Sequence, residues 1–303
     1  MARRHRPDRH APPRRPERAP RPPERTPRTP ERAPPPEPRR DPAIRAAAQP
    51  HRDTGGWIYG RHAVRAALRN PARRLRRLLA TPELAAEAQA WLAEAKARSA
   101  GELKVETLER GRLEALLPEA AVHQGLALQA EPLPPAFLED MLAEIPPTAA
   151  AGAAVVVVLD QVSDPQNVGA VLRSAAAFGA LGLVLPEHGT PPSTSALAKA
   201  ASGALEQVPL VRVTNLARAL DKLKQAGFWC VGLEENAEKL LGDLDLSGRV
   251  ALVLGAEGEG LRRLTRERCD FLARLPTHDA LASLNVSNAA AIALYEVARR
   301  RPP

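Results

Sequence analysis

Polar side chains concentrate in three short stretches of this sequence, in numbers that ordinary loops do not require. The first is DQVSDPQNVGAVLRSAAAFG, residues 160 to 179. Asp164 and Pro165 suit a turn there, Asn167 can cap the helix that follows, and Arg173 stands six residues further on. Residues six apart do not share a helix face, so the two border one pocket only if Asn167 sits at the helix start. A capped amphipathic helix with one exposed arginine would look the same. The second stretch is GAEGEG, residues 255 to 260, whose glycines allow positive φ and close approach of a ligand to the backbone. Glu257 inside so tight a loop repels phosphate and suits a hydroxyl or a cation. The third is LPTHDALASLNVSNAAAIALYE, residues 275 to 296. Ser283, Asn285, Ser287 and Asn288 lie around one turn, and a helix start with an alanine-rich packing face uses only one or two of them. That excess suggests a binding site. Cys230 and Cys269 stand alone, with no CxxC, no Cys/His cluster and no paired carboxylates, so neither a metal centre nor a disulfide framework is expected.

These stretches must be held by the elements around them. Val155 to Asp160 (VVVVLD) is a β-branched run typical of a strand buried on both faces. Leu181 to Leu185, Val208 to Val213, Phe228 to Leu233, Val250 to Gly255 and Phe271 to Leu275 repeat the pattern, with helices between most of them. The alternation predicts an α/β domain with a largely parallel sheet over residues 153–303, its functional loops following Asp160, Leu254 and Leu275 at the carboxyl ends of the strands. Ahead of it, residues 53–130 read as a smaller α/β domain. A short helix is expected from the spacing of Ile58, Val64, Ala67 and Leu68, followed by strands at 75–80, 103–108 and 125–130 with helices between. Residues 131–152, rich in proline and alanine, read as a linker with one helical stretch near 137–145.

The charge is uneven. The chain of 303 residues carries a net charge of +8, and residues 1 to 50 hold fourteen arginines against six acids, leaving 29 basic and 29 acidic residues elsewhere. Residues 1–52 also hold 15 of the 31 prolines and repeat PER(A/T)P from Pro16, Pro23 and Pro30. Such a segment has too little apolar surface to offset the entropy of ordering and is expected to be a disordered Arg/Pro-rich arm. It reads either as a phosphate-neutralising RNA tether or as a solvated extension. No apolar run is long enough to span a membrane and the arginine-studded start lacks the apolar core of a secretory signal, so a soluble, cytoplasmic protein is expected.

Taken jointly and in this order, the three stretches resemble the three motifs of SpoU-type (SPOUT class) RNA methyltransferases. The likeness extends through LAKAASGALEQVPLVRVTNLARAL and GAEGEGLRRLTRERCD, and reaches the small domain in IYGRHAVRAAL and VHQGLALQA. It covers residues 57 to about 300 and is strongest to the bacterial 23S rRNA guanosine-2′-O-methyltransferases. The chain departs from the family pattern at Thr277, His278 and Asp279, where Met and then Gly usually follow Pro276, and at Asn288, where a small apolar residue is usual.

The resemblance implies a trefoil-knotted domain of parallel sheet, one of the rare exceptions to unknotted chains. It implies S-adenosylmethionine as cofactor, with Gly255, Leu275 and Leu284 meeting it through the backbone. It also implies a ribosomal-protein-like RNA-binding module ahead of the knot, and a homodimer with active sites at the interface. The reaction implied is methyl transfer to a ribose 2′-hydroxyl, without a metal. Arg173 is the family's catalytic group. Since arginine stays protonated, it suits a developing alkoxide or adjacent phosphate better than a general-base role, with Asn167, Glu257, Ser283 and Asn285 orienting it and the ribose. Two rivals remain at this point and a third drops out. The same chemistry on tRNA uses the same motifs, and a non-catalytic RNA-binding or assembly factor would keep the fold. An NAD enzyme of Rossmann type fails on glycine order, GxxGxG after a late strand.

Overall fold

The computed structural model describes residues 56–96, 103–118, 121–145, 154–193, 195–278 and 284–300. The Arg/Pro-rich segment 1–52 and Ser283 lie outside the described residues. Residues 48–303 form one compact unit.

The first sheet is built from β1 (Trp57–Tyr59), β2 (Leu75–Ala80), β3 (Val105–Thr107) and β4 (Leu126–Ala130), with α1 (Arg61–Arg69) after β1, α2 (Ala85–Lys96) after β2 and α3 (Arg110–Leu116) after β3. Its order is β1-β4-β2-β3. Period-two alternation decides its faces. Ile58, Leu78, Leu126 and Leu128 pack with Val64 and Leu68 of α1 and Leu92 of α2, whereas Trp57, Tyr59, Leu79 and Ala127 pack with Leu113 of α3. Ile58 therefore does not belong to the helix its spacing suggested. The aromatic residues on either side of it fill the opposite core, β1 pairs antiparallel with β4, and Gly60 at φ 90° ends the strand before α1 begins.

After α4 (Leu138–Ala143) comes a second sheet, of seven strands. In chain order the elements are β5 (Val155–Asp160), α5 (Pro165–Ala177), β6 (Gly182–Pro186), α6 (Ser195–Ala200), β7 (Leu210–Val213), α7 (Leu216–Gln225), β8 (Trp229–Leu233), β9 (Lys239–Leu240), β10 (Val250–Gly255), α8 (Arg263–Arg268), β11 (Phe271–Arg274) and α9 (Val286–Ala298). The order is β7-β6-β5-β10-β8-β11-β9, and every ladder is parallel. All six residues of β5 are buried, because helices cover both faces. Val155, Val157 and Leu159 face a core shared with α5, α6 and α9. Val156 and Val158 face one shared with α4 and α7. The two-residue edge strand β9 is too short for sequence periodicity to show. No described helix is long and apolar enough to cross a membrane.

The two sheets meet through a buried ion pair. Arg73, between α1 and β2, and Glu206, after α6, have side chains 7% and 4% exposed. Arg73 Nε lies 3.0 Å from each carboxylate oxygen and its Nη2 2.8 Å from Oε1, while Asn70 Nδ2 donates to Oε2 at 2.7 Å.

Candidate functional site

β5 and β10 are neighbours in register, with Asp160 opposite Gly255. The loops that follow them therefore leave the carboxyl rim of the sheet side by side. Asp160 is fully buried and accepts from Arg262 twice, from the backbone N–H at 3.0 Å and from Nε at 2.6 Å. That pair ties the far end of the 255–260 loop to the end of β5. Within the loop, Gly260 N–H donates to the Ala256 carbonyl at 2.9 Å, and Gly258 and Gly260 take φ of 81° and 68°. A Cβ on Gly255 would collide with the Gly260 carbonyl. Loop closure thus already demands glycine at position 255, independently of any ligand.

The closed loop presents Glu257 at its tip. Glu257 Oε1 accepts from Asn167 Nδ2 at 3.1 Å, from Asn285 Nδ2 at 2.6 Å and from the Val286 backbone N–H at 3.3 Å. Asn285 Nδ2 also donates to Asn167 Oδ1 at 3.0 Å. One side chain from each polar stretch therefore enters a single hydrogen-bonded trio at the sheet rim. Asn285 is positioned by a second task. It caps α9, its Oδ1 accepting from Ser287 N–H at 2.9 Å and from Ser287 Oγ at 2.5 Å. Ser287 is thereby used locally, and Asn288 is exposed.

Asn167 does not cap its helix. Asp164 does, accepting from Gln166 N–H at 3.0 Å with Pro165 at the first helical position. The reason is local: proline is pre-shaped for that position and aspartate is a strong cap, so the helix starts two residues before Asn167. Both Asn167 and Arg173 are then helical and point different ways. Arg173 is exposed and lines a cavity of about 240 Å³ whose other walls include His62, Ala201, Ser202 and Gln207. Within one chain Arg173 does not join the trio.

Gly255, Leu275 and Leu284 all lie at the carboxyl rim. Gly255 is the last residue of β10, and the ladders of β11 end at Arg274, one residue before Leu275. Leu275 packs its side chain into the core, which leaves its backbone at the rim. Leu284 directly precedes the Asn285 cap. Among the described residues no group of His, Cys, Asp and Glu could hold a metal ion. Burial and the negative charge of Asp270 push the thiols of Cys230 and Cys269 up to about 12, which keeps them protonated and unreactive.

Residues 154–295 match the SpoU rRNA Methylase family, and residues 57–136 match the domain described as RNA 2′-O ribose methyltransferase substrate binding. The 23S rRNA (guanosine-2′-O-)-methyltransferase RlmB of Pseudomonas aeruginosa is 41% identical over 81% of this chain and 97% of its own length. The chain belongs to the SpoU rRNA methylase family. RlmB of Coxiella burnetii is 42% identical over 80% of this chain and 95% of its own. The crystal structure of the SpoU methyltransferase AviRb from Streptomyces viridochromogenes in complex with AdoMet has the same fold, with TM-score 0.66 at 24% identity over 86% of this chain and 93% of that one.

In this SpoU methylase the sequence reading passed over two contributors. Asp160 ends an otherwise apolar strand, an acid so placed needs a cation, and the signal for one is the Arg262–Arg263 pair just after the glycine loop. His62 sits in the IYGRHAV stretch with no local sign that it faces Arg173 across a cavity.

Proposed function

We propose that this chain transfers the methyl group of S-adenosylmethionine to the 2′-hydroxyl of a guanosine ribose in 23S rRNA. The observation that carries the reading is the trio of Asn167, Glu257 and Asn285, drawn from three separate stretches of the chain onto one rim in a chain 41% identical to the RlmB of Pseudomonas aeruginosa over nearly all of that enzyme's length. The rim fits the cofactor. Gly255 at the end of β10, Leu275 just after β11 and Leu284 just before α9 would offer backbone groups to the edge of an adenine, and the Glu257 carboxylate would complement a sulfonium's positive charge. When bound, the cofactor supplies an electrophilic methyl group on sulfur.

The chain's own residues then have distinct tasks. Asn167 and Asn285 are held rigid through Glu257 and orient the ribose, so that its 2′-oxygen is presented in line. Ser283, immediately before Leu284, belongs to this orienting group in the proposal. The cofactor would leave as the neutral thioether and the 2′-hydroxyl proton would pass to water, while a fixed guanidinium would stabilise the negative charge developing on the 2′-oxygen. Arg173 has that role. Because it lies away from the trio within one chain, the reading includes a homodimer in which the partner's Arg173 completes each site. Ile292 and Tyr295 of α9, 44% and 56% exposed, supply apolar surface for such an interface.

Residues 53–130 act in this reading as the RNA-binding module, 131–152 as the connector, 153–303 as the catalytic domain with the trefoil knot, and 1–52 as an Arg/Pro-rich arm. The protein is placed in the cytoplasm, with no metal in the reaction. Methyl transfer to tRNA, or RNA binding without catalysis, are the outcomes that would displace it. The test is a map of 2′-O-methyl groups on rRNA and tRNA with and without the gene. Loss of one 23S rRNA guanosine methyl is expected; loss from tRNA, or an unchanged map, overturns the assignment.

A further inference from the structure

The cavity beside Arg173 lies where the two sheets' domains meet. Its walls are His62 from the start of α1, Arg173 from the middle of α5, and Ser202 and Gln207 from the turn after α6. His62, Arg173 and Gln207 are exposed, so the cavity opens outward. No carboxylate lines it. Glu206, next to Gln207 in sequence, is consumed by Arg73 and Asn70 and 4% exposed, so its charge is neutralised. The polar part of the lining is thus one permanent cation with His62, Ser202 and Gln207, each able to donate a hydrogen bond, among small alanines.

The spacing across the cavity is set by packing. Gly203, at φ 91°, lies under α1: a Cβ there would sit 2.6 Å from Ala66 Cβ and 3.2 Å from the His62 carbonyl oxygen. Together with the buried Arg73–Glu206 pair, this close approach docks α1 on the turn, one helical turn from the cavity. His62 is therefore held opposite Arg173 by contacts that do not involve its own side chain.

We infer that His62 is a substrate-binding residue: with Arg173 it grips an RNA phosphodiester next to the target ribose, across the boundary between the two domains. A cavity of about 240 Å³ has room for a phosphate and part of a sugar. Donors on two walls suit a phosphate's several acceptor oxygens. This inference rests on the reading that Arg173 acts at the target ribose.

The test uses the full chain with deproteinised 23S rRNA. His62→Ala should raise KM and the binding Kd for the RNA roughly tenfold, the value of one good charge-assisted hydrogen bond. Its melting temperature and its Kd for S-adenosylmethionine should match wild type, because the side chain is exposed and is not one of the rim residues assigned to the cofactor. His62→Gln, which keeps an N–H donor, should recover most of the loss. Filter binding of the same RNA needs no turnover and so separates the two failures. A wild-type protein that binds RNA in a His62-dependent way without methylating it sinks the catalytic reading alone. RNA affinity of His62→Ala within about twofold of wild type overturns this inference alone, since one lost phosphate contact is worth more than that.

Discussion

Removing Glu206 should loosen the join between the two domains, and the size of the effect follows from burial. Its carboxylate accepts from Arg73 Nε, Arg73 Nη2 and Asn70 Nδ2 at 2.7 to 3.0 Å, with both charged side chains under a tenth exposed. Solvent screening is therefore slight. Glu206→Ala leaves the Arg73 guanidinium buried with only the Glu131 carbonyl, 2.8 Å from Nη1, as an acceptor. Breaking one side of a buried pair costs about 3–5 kcal/mol. At roughly 2–4 °C per kcal/mol for a protein of this size, that is a fall in Tm of about 6–20 °C when the domains melt together. If they do not, the calorimetric transition should split, with the small domain leaving first. Arg73→Met combined with Glu206→Leu should regain most of the loss, because apolar residues of similar volume avoid the desolvation cost. A single transition within about 1 °C of wild type for Glu206→Ala would refute the reasoning, as would a double variant no better than the single, since either contradicts the expected cost of an orphaned buried charge.

Other substitutions separate the roles of the site residues. Arg173→Ala should lower kcat by at least about a hundredfold while calorimetry finds the S-adenosylmethionine Kd unchanged, as expected for a group that meets the RNA and not the cofactor; unaltered turnover removes it from the mechanism. Asp160→Asn should cost about 1–3 kcal/mol, discounted for the half-exposed Arg262, and lower kcat further than its Tm shift explains, because the loop carrying Glu257 loses its tie. Gly255→Ala should weaken cofactor binding and stability together, since the added methyl forces the 255–260 loop open; unchanged cofactor titration would show that the loop tolerates it. The Arg77 hydrogen bonds at 2.9 and 2.7 Å hold the Glu106 carboxyl below the usual glutamate range, with burial opposing. A depressed folded value contributes stability above the unfolded value, about 4.3, and loses it as pH falls through the folded one, so Glu106→Gln should flatten the acid limb of the stability curve below about pH 4.3.

Much of the architecture was legible because it is written locally. The VVVVLD and VALVLG runs are continuous and β-branched, which suits strands covered on both faces, and they became adjacent central strands of a parallel sheet. Asp164, Pro165 and Gln166 spell a helix start, although the sequence reading gave the cap to Asn167, a residue of the right type standing two positions inside the helix. Ile58 was misassigned because three residues are too few for a strand period to outweigh a helical spacing that ran through Gly60. The cluster of polar residues near Asn285 was read as excess over capping. In the folded chain the same amide both caps α9 and binds Glu257, which local pattern could not distinguish.

What the sequence by itself determined was which residue types stand at the strand ends, and through them the family. Tertiary structure alone decided which of these residues meet. The trio closes across separations of 90, 118 and 28 residues, and that depends on β10 inserting beside β5, a choice made by the packing of two cores and not by any local preference. Arg173 and Asn167 share one helix yet face different ways, while His62, over a hundred residues earlier in the chain, lies across a cavity from Arg173. Periodicity along a chain reports the face on which a side chain lies; which other face it meets is decided only when buried surfaces and ion pairs such as Arg73–Glu206 select one arrangement of the elements.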